Sequence, residues 1–105
     1  MTMKPAKMLQ VFVDETDTLG DLSLYEAIVR RLVQAGIAGA TVDVGIMGFG
    51  KHIIVHRKRL FGVSDDRPVT ITIVDDEEKI MKLLPELRKL VVEGLILVAD
   101  VTVVE

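Results

Sequence analysis

Hydrophobic and polar positions along this chain change period several times, and each change marks an element. Lys7 to Val13 reads Lys-Met-Leu-Gln-Val-Phe-Val, β-branched and aromatic residues without a breaker, and predicts a first strand. Asp14 to Leu22 is polar and contains Gly20, so it predicts a connecting loop. Ser23 stands where an N-cap belongs, with Glu26 three residues on to complete a capping box. Leu24, Ala27, Ile28, Leu32 and Ala35 follow at steps of three or four, the spacing of one helix face, and Gly36 ends the run. Gly39 to Met47 is rich in β-branched and small residues and predicts a second strand, closed by Gly48-Phe49-Gly50. Lys51 to Arg67 has no clear period and predicts a long connection, the kind of segment that more often carries function than fills space.

Order resumes after Pro68 with Val69 to Val74, a third strand. Asp75 or Asp76 then caps a second helix, whose first turn holds Glu77 and Glu78, as the helix dipole favours. Ile80, Leu83, Leu84, Leu87, Leu90 and Val91 keep helical spacing, while Pro85 predicts a kink or a break into two turns. Gly94 ends the helix, and Leu95 to Val104 is an apolar last strand with Asp100 as its only interior charge. The order βαββαβ predicts an α+β, ferredoxin-like fold: a four-stranded antiparallel sheet with two helices on one face, because right-handed crossovers place both on the same side. The other face is left bare, and strands this apolar predict that copies of the chain cover it.

Composition narrows the function classes. A chain of 105 residues is sized for one domain, residues 1–105, and 50% hydrophobic with 28% charged residues is the balance of a soluble globular protein. Three Phe, one Tyr and no Trp leave little with which to stack on bases, and a net charge of −3 gives no general attraction to phosphates, so no nucleic-acid partner is expected. The absence of Cys excludes disulfides, thiolate metal sites and thiol nucleophiles, and agrees with a cytoplasmic location. No apolar run approaches the ~20 residues that span a bilayer, and Met1 to Met8 lacks the apolar stretch of a secretory signal, so neither membrane insertion nor export is expected.

Candidate chemistry gathers after the second strand. Gly48-Phe49-Gly50-Lys51 could offer backbone N–H groups and an ammonium to a phosphate or carboxylate, since successive donors in a glycine-rich turn form anion nests. The plainer account is that the glycines make a sharp exit from the sheet and Phe49 plugs a gap. Lys51, His52, His56, Arg57, Lys58, Arg59 and Arg67 make a basic segment in an acidic chain, a local trap for a small polyanion or, more plainly, a solvated loop. His52 and His56 share a side in either extended or helical backbone, but two ligands need carboxylates to complete a metal sphere. The acidic residues Asp14, Glu15, Asp17 and Asp21 lack the spacing of a calcium loop and read as a solvated loop. No triad, zinc-protease or P-loop motif is present, so no enzyme is expected.

Several strings together resemble a known family: Leu24-Tyr25-Glu26-Ala27-Ile28-Val29, Ala38-Gly39-Ala40-Thr41-Val42, Gly45-Ile46-Met47-Gly48-Phe49-Gly50 and Ile73-Val74-Asp75. In order and spacing they are similar to the small PII-like domains of unknown function related to the nitrogen-regulatory PII signalling proteins. That resemblance implies a homotrimer with ligand clefts between subunits and a signalling loop after the second strand. It also implies an adenine nucleotide near Gly48, Phe49, Gly50, Lys51 and His52, and a membrane channel or transporter as protein partner. The pattern departs in two places. The phosphate-gripping loop before the last strand is shortened to Val92-Glu93-Gly94 without its lysine, and Glu105 stands where PII proteins continue into basic residues. His56, Arg57 and Arg59 are the residues that could supply the missing charge. The expectation is a non-enzymatic regulator that binds a small anionic ligand. The alternative is a metal-responsive trimer similar to the divalent-cation tolerance proteins, using His52 and His56 with a neighbour's carboxylates; a small enzyme with His56 as general base is a third reading.

Overall fold

The structure is a computed structural model that describes residues 1–49 and 67–105. In chain order the elements are β1 (Met3–Asp14), β2 (Thr18–Leu19), β3 (Leu22–Ser23), α1 (Leu24–Gln34), β4 (Thr41–Val44), β5 (Pro68–Asp75), α2 (Glu77–Leu90) and β6 (Leu95–Val104). The main sheet has the order β4-β5-β1-β6 with every neighbouring pair antiparallel, and both helices lie on one face. This is the ferredoxin-like βαββαβ arrangement. β2 and β3 add a separate two-stranded hairpin between β1 and α1.

The core follows from the two periods meeting. Alternate residues Leu9, Val11 and Val13 of β1 and Val69, Ile71 and Ile73 of β5 face the helices, which answer with Leu24, Ile28 and Leu32 from α1 and Ile80, Leu83 and Leu87 from α2. All are buried, so the two central strands and both helices share one apolar cluster. Arg31 and Glu86 tie the two helices together across their outer edge at 2.5 Å.

Several local expectations are corrected. α2 runs unbroken through Pro85 because Pro85 and Met81, the residue whose carbonyl loses its donor, are both exposed, so water can replace the missing bond. Ser23 occupies the N-cap position of α1 but makes no side-chain cap bond, and Glu26 pairs with Arg30 instead (2.8 Å). Asp17 does the satisfying: its carbonyl accepts the Leu24 N–H at 2.8 Å. β4 is limited to four residues because, past the Val44↔Val69 pair, it meets Pro68, which has no N–H to extend the ladder. β1 begins earlier than its polar start suggests, since Met3 to Ala6 pair with Val101 to Val104.

Among the described residues, nothing covers the sheet face away from the helices. It carries Met8 and Phe12 from β1, Val74 from β5, and Leu95, Leu97 and Ala99 from β6; Leu95 is 51% and Leu97 43% exposed. Thr70, Thr72 and Gln10 provide its polar part, with Gln10 Nε2 donating to Thr72 Oγ1 at 3.2 Å.

Candidate functional site

β1 and β4 end, and β5 and β6 begin, at the same end of the sheet, so that end collects the chain's departure into residues 50–66, its return, the β2–β3 hairpin and the α2–β6 turn. The departure is built on glycines. Gly45 N–H donates to the Pro68 carbonyl at 2.7 Å. A Cβ at Gly45 would stand 2.8 Å from Pro68 Cγ and one at Gly48 3.0 Å, so the turn wraps against the proline ring with no room for side chains. Neither glycine has a positive φ, so close approach, and not handedness, is what these positions require.

Because the backbone turns its glycines inward, the residues between and after them face outward. Ile46 is 96%, Met47 86% and Phe49 83% exposed, which corrects the gap-plugging role for Phe49. Of the sequence-derived site, Gly48 and Phe49 lie at this exit; Gly50, Lys51, His52, His56, Arg57 and Arg59 lie outside the described residues. Arg67, part of the same basic segment, is engaged in the fold: Nε and Nη2 donate to Glu15 Oε1 and Oε2 at 3.0 and 2.7 Å. The hydrogen-bonded Arg67 guanidinium holds the Glu15 carboxyl below the usual carboxylate range, and Glu15 raises Arg67 in turn.

Within the acidic stretch Asp14, Glu15 and Asp17 are engaged in the fold, while Asp21 is exposed as expected. Asp14 Oδ1 accepts the Thr16 N–H and hydroxyl, both at 3.0 Å, and Asp17 Oδ2 accepts the Asp14 N–H at 3.0 Å. Asp17 N–H donates to the Asp14 carbonyl at 3.0 Å. These bonds fold the corner that starts the hairpin, and Gly20 at φ 62° with Asp21 closes it. Two residues of Gly-Asp type between short runs are a hairpin signal, so this element was present in the sequence and was hidden by its polar composition.

Sequence reasoning also missed a cleft of about 240 Å³ on the helix side of this end. The hairpin's Asp17, Thr18 and Leu19 form one wall, and Lys89, Leu90, Val92 and Glu93 of α2 and its following turn form the other. The turn is held in place by Gly94: at φ 156°, a Cβ there would stand 2.5 Å from the Phe12 carbonyl oxygen and 2.8 Å from Val91 Cγ1. Among the described residues no group of three or more His, Asp or Glu is placed to hold a metal ion. Among them also, no helix is long and apolar enough to cross a membrane.

Comparison with known proteins fits this geometry. The chain is 34% identical over 104 residues to a UPF0166 protein of Aquifex aeolicus, covering 99% of this chain and 98% of that one. It is 36% identical over 99 residues to a UPF0166 protein of Methanocaldococcus jannaschii, covering 93% and 91%. Among solved structures it resembles CPII, a nitrogen regulatory PII-like protein from Thiomonas intermedia K12 bound to ADP, AMP and bicarbonate. The TM-score is 0.72 at 20% identity, over 98% of this chain and 99% of that one. That likeness establishes a PII-like fold. Residues 6–103 match the DUF190 family, described as Uncharacterized ACR, COG1993, and the chain belongs to that family.

Proposed function

We propose that this protein is a non-enzymatic PII-like regulator that binds a small anionic ligand, with an adenine nucleotide as the leading class, where the chain departs into residues 50–66. The observation that carries the reading is the root itself. A glycine-lined exit packed on Pro68 leaves backbone and apolar side chains facing outward, and directly ahead of the basic residues Lys51, His52, His56, Arg57 and Arg59. CPII, which shares the fold, binds ADP, AMP and bicarbonate, and that supports the choice of ligand class. The exposed apolar sheet face supports association with further copies of the chain, and in this reading the assembly is a cytoplasmic homotrimer with ligand clefts between subunits. In this reading the signal passes to a protein partner, and a membrane channel or transporter is the partner class proposed.

The test is calorimetric and thermal titration of the full chain with ADP, AMP, ATP, bicarbonate and divalent metals, with mass measured in solution. A nucleotide at 100 times its Kd adds about 2.7 kcal/mol to native stability and raises Tm by roughly 10–20 °C for a domain of this size. The expected result is such a shift with ADP, lost in a Lys51→Ala/Arg57→Ala variant, on a species of three chains. A shift with metals alone, absent when His52 and His56 are both replaced by Ala, would overturn the nucleotide reading in favour of a metal-responsive trimer.

A further inference from the structure

Arg67, the first described residue after 50–66, is fastened to the corner that follows β1 by more than one bond. Arg67 grips Glu15 through two side-chain hydrogen bonds of 3.0 and 2.7 Å, and its carbonyl accepts the Glu15 N–H at 2.8 Å. Glu15 sits in the corner ordered by Asp14 and Asp17, and the Asp17 carbonyl accepts the Leu24 N–H that opens α1. On the departing side, the Gly45 N–H reaches the Pro68 carbonyl, the next one along from that of Arg67. A continuous run of short bonds therefore joins both crossings of the root to the hairpin and the start of a core helix. The hairpin is in turn one wall of the cleft that faces the α2–β6 turn.

An isolated exposed ion pair contributes little, because solvent screening and side-chain ordering offset its attraction. Here the guanidinium fork meets the carboxylate at two points, and the same two residues are already joined through the backbone, so little additional ordering is needed. We propose that Arg67 is a positioning residue: the Glu15–Arg67 clamp makes the root and the β2–β3 hairpin open as one unit, so that the root sets the position of the cleft's hairpin wall. Its regulatory meaning, the cleft as the surface on which ligand binding at the root is read, rests on the function proposed above.

Amide hydrogen exchange by NMR on the full chain tests the clamp without any ligand. In the wild type, the Glu15, Asp17, Leu24 and Gly45 amides should exchange through a common opening. Arg67→Ala should speed exchange at Asp17 and Leu24 by roughly two- to five-fold, Arg67→Lys by less, and Ala38 at the far end should not change. If only Glu15 responds and Leu24 keeps its wild-type rate, there is no coupling and the proposal fails. ADP is then added as the probe. Slower Leu24 exchange in the wild type but not in Arg67→Ala supports transmission to the cleft wall, and equal slowing in both overturns it. If ADP does not bind at all, the nucleotide reading falls, and the ligand-free rates alone decide the clamp.

Discussion

The two ends of the sheet solve different problems with the same strands. At the far end, three charged residues stand side by side on the helix face of neighbouring strands: Asp75 on β5, Lys7 on β1 and Asp100 on β6. Lys7 pairs with Asp100 and, at 3.8 Å, with Glu77; Lys4 pairs with Asp76 at 3.3 Å; Lys79 approaches Asp75 at 3.9 Å and donates to the Gly36 carbonyl at 3.2 Å. Polar groups there are used on one another. At the root end the exit and the α2–β6 turn are set by close backbone approach at Gly45, Gly48 and Gly94, beside the Arg67–Glu15 pair, while Ile46, Met47, Phe49 and Val92 face outward. Exposed apolar side chains on a closely packed turn suit recognition, and a closed ion-pair network suits the fold.

The sharpest way to break that contrast is to disturb the root's backbone. Gly94→Ala places a methyl group 2.5 Å from a main-chain oxygen of β1, a contact that no side-chain rotation relieves, in a conformation that L residues rarely adopt. The expected cost is roughly 2–4 kcal/mol, read as a lowered midpoint in urea with an unchanged slope. A wild-type midpoint would mean that the α2–β6 turn is free to shift and that the root end is not rigid.

This difference between the ends also explains what could be read from sequence. β5, α1 and α2 were legible because periodic apolar runs report burial directly, and Ile71, Ile73, Ile80 and Leu87 face the core as their spacing predicts; β6 was legible as an apolar run although none of its residues is buried in the single chain. The N-terminal four residues of β1 were not, because Met3 to Ala6 carry no period of their own and are strand only by pairing with Val101 to Val104. The cap chemistry of Ser23 and Asp76 was misread for a related reason. Neither side chain makes a cap bond: the Asp76 carboxylate pairs with Lys4, and beside Ser23 the Leu24 N–H is taken by the Asp17 carbonyl, contacts that sequence does not reveal. At the exit the turn was legible at Gly48, whose neighbour Pro68 explains why it is a glycine, while the fold role of Arg67 was not, since it looks like one more loop cation until Glu15 is found beside it.

An intermediate effect is expected at the far end. Burial pushes the Asp75 carboxyl up, but the N–H groups of Asp76 (2.7 Å) and Ala38 (3.1 Å), with Lys79 and Lys4, outweigh it and hold the group below its ordinary range. A depressed folded-state value means that the ionised form stabilises the fold. The contribution is full at neutral pH, begins to fall as pH drops through about 4, and is gone once the folded-state carboxyl is protonated. Asp75→Asn should therefore cost about 1 kcal/mol at pH 7 and flatten part of the acid limb of a stability-against-pH curve. Parallel acid limbs in wild type and variant would show that Asp75 contributes through packing alone.

The smallest effect on stability should come from the exposed aromatic side chain at the glycine exit, and it is the most informative about function. Phe49 is 83% exposed, so Phe49→Ser removes almost no buried contact and should change stability by less than about 0.5 kcal/mol. A core-like loss would mean that Phe49 is covered in the assembled protein, which places this exit inside an interface between copies; measuring stability at two protein concentrations separates that case, since an interface contribution grows with concentration. If stability is unchanged while ADP affinity falls, Phe49 is held out for the ligand. If neither changes, Phe49 takes no part in nucleotide binding, and its outward-facing side chain is not a ligand contact.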